Sequence, residues 1–315
     1  MRGGNGLKTY ARPQPASIWQ RIGRNWGLYL LLLPSLVLLI LFAYRPMYGI
    51  VIAFKDYRPS MGILGSPWAG LKYFRQFFSS YQFVNTIQNT IILSLYSIFV
   101  TFPLPILMAL GINQMRLQKF RKFFQVATYL PHFISTVVLV GIILVLLSPS
   151  SGVVGNVARL IGVEPINIMA EAKLFRHVYV LSNVWQHTGW DSIVYLAALS
   201  AVDPTLYEAA TVDGAGKLQK LWYIDIPMLV PTAATLLILR SGSIMNVGFE
   251  KVYLMQNNLN LNYSEMISTY VYKAGLINNQ YSLSSAVNFF NNGINFLLLV
   301  IVNQVSKWSS NNSLW

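Results

Sequence analysis

Six long apolar runs, set apart by polar segments, dominate the chain: Trp26–Tyr44, Asn89–Ile112, Val126–Leu147, Val178–Ala201, Met228–Ile244 and Ala286–Val305. A helix needs about 20 mostly apolar residues to cross the hydrocarbon core of a bilayer, so each run predicts a transmembrane helix. The last three are less apolar than the first three. Between the fourth and fifth runs lies a polar stretch of another kind, Asp203 to Gly216. Asp203 predicts an N-cap for a helix whose first residue is Pro204, where the missing N–H is no loss. Gly214 and Gly216 predict its end. A short helix between two spans does not help the chain cross the membrane, so it is expected to dock onto something.

Composition supports the membrane reading. Hydrophobic residues make up 54% of the 315 residues and charged ones only 10%, against about 25% charged in a soluble domain. The predicted fold is therefore an all-α polytopic membrane protein with six transmembrane helices. Residues 1–25 form an N-terminal segment and residues 26–315 the transmembrane domain. The absence of cysteine excludes disulfides and a thiolate metal site. The net charge of +13 is assigned to basic residues flanking the spans rather than to nucleic-acid binding. Residues 1–25 are polar and basic, with no small-residue cleavage site after the first apolar run, so no cleavable leader is expected.

Basic residues also set the orientation. Arg2, Lys8, Arg12, Arg21 and Arg24, then Arg116, Lys119, Arg121 and Lys122, then Lys217 and Lys220, and finally Lys307 fall on one side, in short segments. Arg45, Lys55, Arg58, Lys72, Arg75, Arg159, Lys173, Arg176, Lys251 and Lys273 are spread over longer segments on the other. The higher density predicts both termini and the capped helix in the cytoplasm. On the outer side, Trp68, Tyr73, Phe74, Phe77, Phe78, Tyr81 and Phe83, with Lys72 and Arg75, fit either an interfacial amphipathic helix or a packed loop.

Polar side chains at membrane depth are costly unless they face protein or a water-filled path. Asn183, Gln186, His187, Trp190 and Asp191 share one face of the fourth run. Asn288, Asn291, Asn292 and Asn295 do the same in the last. Amide and indole stripes suit a pathway for a hydroxyl-rich solute; they equally suit hydrogen bonding between helices. Asp191 and Arg240 are open to several readings: a structural ion pair, an interfacial placement with Arg240 near the outer end of its span, solute contact, or a proton relay with His187. His132, His177 and His187 show no metal-site spacing, and no catalytic or metal centre is expected. Gly214-Ala215-Gly216-Lys217 is not a phosphate loop, because Leu218 stands where Ser or Thr is required and Thr211 where Gly is.

One spacing is more specific. Glu208-Ala209-Ala210, Gly214 after three residues, Ile224 after nine more, and then Asp225-Ile226-Pro227 resemble the EAA loop of binding-protein-dependent importer permeases, with Ile226 in place of the family's Leu. Gly189-Trp190 with Tyr195-Leu196-Ala197-Ala198-Leu199, Asn246-Val247-Gly248-Phe249-Glu250, and Ser313-Leu314-Trp315 are similar to one sugar-permease subgroup, which includes subunits importing aldouronate and alginate oligosaccharides. The resemblance implies a type I ABC importer fold in a bacterial inner membrane. It further implies a second permease subunit, two cytoplasmic ATPase subunits carrying ATP and Mg, an extracytoplasmic solute-binding protein and an oligosaccharide substrate, with no cofactor bound by this chain. Tyr207, Glu208, Ala209, Ala210, Asp213, Gly214, Ile224 and Pro227 would then form the ATPase contact within a coupling loop at 203–227.

Arg240, Lys251 and Lys273 are placed to attract uronate carboxylates, with Glu250 beside Lys251 opposing them. Two other classes stay open on the residues alone. One is a membrane enzyme acting on lipid-linked sugars with Asp191 and Glu250 as acid and base; the other is an ion-coupled secondary transporter.

Overall fold

The computed structural model describes residues 23–246 and 248–310. The expectations placed on Arg2, Lys8, Arg12, Arg21, Val247 and Ser313-Leu314-Trp315 lie outside the described residues. The chain divides into two compact units, 1–51 and 52–315. In the first, helix α1 (Trp26–Leu39) runs into a π-helical turn at Ile40–Tyr44, and neither contains a buried residue. A helix that is apolar all round suits a lipid surrounding.

The second unit contains α2 (Lys72–Phe78), α3 (Tyr81–Thr101), α4 (Pro103–Asn113), α5 (Gln118–Tyr129), α6 (Thr136–Leu146), α7 (Val153–Leu160) and α8 (Phe175–Ser200). These are followed by α9 (Pro204–Val212), α10 (Ile226–Ser241), α11 (Phe249–Met255), α12 (Ile267–Tyr272) and α13 (Tyr281–Ser310). Lys55 and Trp68 form an isolated β-bridge.

Four described helical stretches are long and apolar enough to cross a membrane: Trp26–Phe54, Tyr81–Asn113, Lys217–Ser241 and Tyr281–Lys307. They contain or overlap the first, second, fifth and sixth apolar runs. The third run is not one straight span. It is broken into Gln118–Phe133 and Thr136–Leu146, bent by 100°. Pro131 has no N–H to continue the ladder, and the Ser135 hydroxyl caps α6 by accepting from the Val138 N–H at 3.4 Å. The fourth run lies in α8, whose 26 residues reach about 39 Å at 1.5 Å per residue. Its polar stripe keeps it below the hydropathy of a span, so the count of six is not reached by length and composition alone.

Among the described residues, three buried clusters hold the second unit together. Ala109, Leu110 and Ile112 of α4 pack against Tyr195, Leu196 and Leu199 of α8 and Leu229 of α10. Leu93, Val140, Phe175, Tyr179, Val180, Val252, Met255 and Met266 join α3, α6, α8 and α11. Phe77, Met245, Ile267, Leu283 and Val287 form the third. Phe77 is buried there, its ring centroid 5.1 Å from Phe83 and 5.7 Å from Tyr270. The outer aromatic stretch thus packs through Phe77 against α12 and α13, while Trp68, Phe78 and Tyr81 stay exposed.

Helix α9 begins as its capping residues predict. The Asp203 carboxylate accepts from the Thr205 N–H at 2.9 Å, and that hydrogen bond holds the carboxyl below its usual pKa. Pro204 takes the first position. At the other end Gly214 has φ +75°. Its N–H donates to Thr211 O at 3.1 Å, and the Ala215 N–H donates to Ala210 O at 2.8 Å, the pair of bonds of a Schellman motif. Gly216 does not help end this helix. It starts the next turn, Lys217–Lys220, with its N–H donating to Gln219 Oε1 at 2.7 Å. Gly214→Val is therefore expected to cost about 1–2 kcal/mol of local stability, because a branched residue resists the left-handed region. Hydrogen exchange should accelerate across Pro204–Val212 and stay unchanged in α13; exchange unchanged in α9 would show that the left-handed Gly214 does not hold the helix end.

Candidate functional site

A cavity of about 450 Å³ opens among α3, α6, α8, α10 and the start of α11, within the size range of ligand sites. Its wall carries Ser97 and Thr101 of α3, Thr136 of α6, Arg240 of α10, and Gly248, Phe249, Glu250 and Lys251. From α8 come Tyr179, Asn183, Gln186, His187 and Asp191. The residues predicted at Asn183, Gln186, His187, Asp191 and Arg240 thus meet on one cavity, brought together from two helices.

The charged groups are arranged in two sets. Arg240 Nη2 lies 2.5 Å from Asp191 Oδ2, and Arg240 Nη1 donates to Thr101 Oγ1 at 3.3 Å. Both members of the pair are partly exposed to the cavity, so solvent screens the attraction and its net worth is small. Lys251 is only 5% exposed. Its ammonium donates to Asn183 Oδ1 at 2.7 Å and lies 5.4 Å from the Tyr179 ring centroid. No carboxylate among the described residues pairs with it, and burial pushes its pKa down to about 7. Burial without a carboxylate partner disfavours the charged form of a lysine, and an anion brought into the cavity would favour it.

The rest of the α8 stripe holds the broken third run in place. Gln186 Nε2 donates to Ile134 O at 3.0 Å, satisfying a carbonyl that the break leaves without a helical partner. His187 and His132 meet through their Nδ1 atoms at 3.1 Å. Trp190 stacks on His132 at 4.5 Å between centroids and 2° between planes, and does not line the cavity. Gly189 lets the two segments touch, since a Cβ there would lie 2.1 Å from Thr128 O.

The asparagine stripe of α13 is elsewhere. Asn291 donates to Asn246 Oδ1 at 2.8 Å, and Asn295 accepts from the Met245 N–H at 2.9 Å, both buried. Asn288 and Asn292 are not buried there, Asn288 being exposed and Asn292 close to it on the same helix. None of the four is on the cavity wall. Lys273 is paired with Glu265 at 2.6 Å. Sequence reasoning passed over Ser97, Thr101, Thr136, Tyr179 and the His132 contact. Ser97 and Thr101 at i, i+4 were the available signal, hidden in an otherwise apolar run.

A second feature lies at α9. Glu208, Ala209, Asp213, Gly214 and Pro227 are not buried, and neither are Tyr207, Ala210 and Ile224, which are half-covered. Around them Leu206, Leu218 and Trp222 are exposed, Val212 is 88% exposed and Tyr223 81%. Leu218, Trp222 and Tyr223 belong to the stretch Lys217–Ser241 that is long and apolar enough to cross a membrane, whereas Leu206 and Val212 lie on α9, outside it. On the same helix, Tyr207 Oη donates to Asp225 Oδ1 at 2.5 Å, and Gln114 Nε2 donates to Asp225 Oδ2 at 3.2 Å. Desolvation, and then that hydrogen bond, hold the Tyr207 phenol above its ordinary pKa.

Residues 101–305 match the family described as binding-protein-dependent transport system inner membrane component. The polygalacturonan/rhamnogalacturonan transport system permease protein YteP of Bacillus subtilis (strain 168) is 43% identical over 280 residues, which is 89% of this chain and 87% of that protein. Protein LplB of the same organism is 39% identical over 284 residues, 90% of this chain and 89% of LplB. A chain in the crystal structure of a bacterial ABC transporter involved in the import of the acidic polysaccharide alginate is similar at TM-score 0.87 and 40% identity, covering 93% of this chain and 99% of that one. A chain in the structure of a bacterial alginate ABC transporter in complex with alginate pentasaccharide-bound periplasmic protein is similar at TM-score 0.87 and 39% identity, covering 94% and 99%.

Proposed function

The chain belongs to the family of binding-protein-dependent transport system inner membrane components, and from that premise we propose that it is a permease subunit of an ABC importer for acidic oligosaccharides. The observation that carries the reading is the rigidly capped, exposed helix α9, with the Glu208-to-Pro227 spacing and with Leu206 and Val212 exposed on it. In this reading α9 seats in a cleft on a cytoplasmic ATPase subunit, with both termini of the permease in the cytoplasm and residues 203–227 as the coupling loop. The small Ala209 and Ala210 permit close approach, and Gly214 turns the chain away. ATP hydrolysis, with its Mg, belongs to two ATPase subunits, so this chain performs no chemistry of its own and binds no cofactor. A second permease completes the pathway, and an extracytoplasmic binding protein delivers the solute at the outer face of the inner membrane. Closure of the ATPases moves α9 and tilts the helices joined to it, a rigid-body switch between two packings.

The cavity supports a sugar as cargo. Asn183, Gln186, Thr101 and Thr136 offer donors and acceptors for hydroxyls, and Lys251 offers a cation without an anion. The pairing of Asp191 with Arg240 argues against Asp191 as an enzymatic acid or base.

Two measurements test the reading. Isolated with its natural partners, the permease should retain an ATPase, and vesicles containing the complete transporter should take up uronate oligosaccharides only with ATP inside and binding protein outside. Uptake by this chain alone under a proton gradient, or turnover of a lipid-linked sugar by it, would overturn the proposal. The charge on Lys251 supplies a pH signature. With its pKa at about 7, the ammonium is charged below that pH and lost as pH rises past it, while uronates stay ionised. The preference for a uronate oligosaccharide over its methyl ester should therefore fall between about pH 6 and pH 8.5. In Lys251→Gln it should be flat and roughly tenfold lower, as expected for one hydrogen bond to a charged group of about 1.5 kcal/mol. An unchanged preference in that variant would remove Lys251 from recognition.

A further inference from the structure

Asp225 is fully buried and pairs with no cation among the described residues. An isolated carboxylate in such a place costs several kcal/mol, so its position calls for a compensating arrangement. It sits in the π-helical turn Leu221–Asp225 that leads into α10. Its two oxygens are taken separately: one accepts from Tyr207, in the middle of α9, and the other from Gln114, at the C-terminal end of α4. α4 is itself packed on α8 and α10 through Ala109, Leu110, Ile112, Tyr195, Leu199 and Leu229.

We propose that Asp225 is a positioning residue for transport: it locks α9 to α4 and α10, so that displacement of α9 moves these helices together rather than bending the intervening chain. The physical reason is stiffness. Between Val212 and Ile226 the chain contains the left-handed Gly214, the Gly216 start of a one-turn helix and a π-helical turn, all weak points through which a push on α9 would dissipate. A desolvated carboxylate bridging two donors is a short, charge-assisted strut in a low-dielectric site, and it bypasses all three. Asp225 touches neither cargo nor nucleotide. It acts through Tyr207 and Gln114.

The proposal rests on the importer reading, and the experiment separates the two. In the complete transporter in vesicles, sugar imported per ATP hydrolysed is measured for the wild type, Asp225→Ala, Gln114→Glu and the double variant Gln114→Glu with Asp225→Asn. Gln114→Glu sets two carboxylates against each other, whereas the double variant restores both hydrogen bonds. In it, Tyr207 donates to the carbonyl of the amide introduced at position 225, and the NH2 of that amide donates to the carboxylate introduced at position 114. Asp225→Ala and Gln114→Glu are expected to keep the ATPase bound and responsive to loaded binding protein while sugar per ATP falls at least tenfold. The double variant is expected to recover most of that loss. A merely structural role would lower transport and ATP hydrolysis in proportion, leaving their ratio unchanged; that result, or a double variant as impaired as Gln114→Glu, would overturn the strut. If the wild-type permease binds no ATPase, the importer reading fails and the strut with it. If Glu208→Lys releases the ATPase while Gln114→Glu keeps the wild-type ratio, the strut alone fails.

Discussion

Glu208→Lys should abolish ATP-driven uptake while leaving the permease folded in the membrane. Glu208 is exposed on α9 and forms no ion pair among the described residues, so reversing its charge removes nothing that holds the permease together. On the proposed interface the same change sets a cation where the partner surface is built for an anion. A like-charge juxtaposition in an interface costs several kcal/mol, and about 3 kcal/mol alone lowers affinity more than a hundredfold. Co-purification should lose the ATPase, with the melting temperature of the permease itself unchanged. Glu164→Lys, an exposed acidic residue in the segment between α7 and α8, is the matched control and should transport normally. An ATPase retained by Glu208→Lys at wild-type level would remove α9 as the docking element.

The second large effect is expected at Gly189. A Cβ on this residue would lie 2.1 Å from Thr128 O and 2.5 Å from Thr128 C. Both atoms are backbone, so no rotamer change relieves the clash and the α5 segment itself must move. Overpacking of this kind costs about 1–3 kcal/mol and occasionally more, and a collision with main chain belongs at the upper end. The neighbours that depend on the approach are Gln186 on Ile134 O, His187 on His132, and Trp190 stacked on His132. Gly189→Ala should lower the melting temperature in detergent and expose the 130–135 break to protease, and Gly189→Leu should yield little folded protein. Gly141→Ala, where a Cβ meets nothing within 4 Å, should melt like the wild type. A wild-type melt for Gly189→Ala would show that the two segments separate without cost.

Residue type alone made some parts of the molecule legible. Asp203, Pro204 and Gly214 dictate where α9 starts and stops, because capping depends on the local backbone and on groups within one turn. The spacing from Glu208 to Pro227 is equally local, and it carries the family on residue type alone. The polar face of α8 was visible as a 3.6-residue period. Its division of labour was not. Asn183 and Asp191 meet the cations Lys251 and Arg240, while Gln186, Gly189 and Trp190 support the break of the third run, and nothing in the helical period separates these uses. The α13 asparagines show the same ambiguity. Asn291 and Asn295 bond the loop at 245–246, since an amide satisfies a buried backbone group as readily as it contacts a solute.

Hydropathy over a window of about 20 residues reports the cost of moving side chains out of water, and that cost is a sum over the segment. It therefore established the membrane class and most of the spans without reference to any neighbour. It could not see the 100° break at Leu130–Ser135, because the apolar content of the run is the same bent or straight; Pro131, the Ser135 cap and the contact with Gly189 select the bent form. Nor does any local sum price a buried carboxylate at Asp225. Among the described residues its cost is met by Tyr207 and Gln114, which are 18 and 111 positions away in sequence. Local propensities are set by nearest neighbours along the chain, whereas compensation of buried charge depends on which helices meet, and that was decided by the packing of α4, α8 and α10.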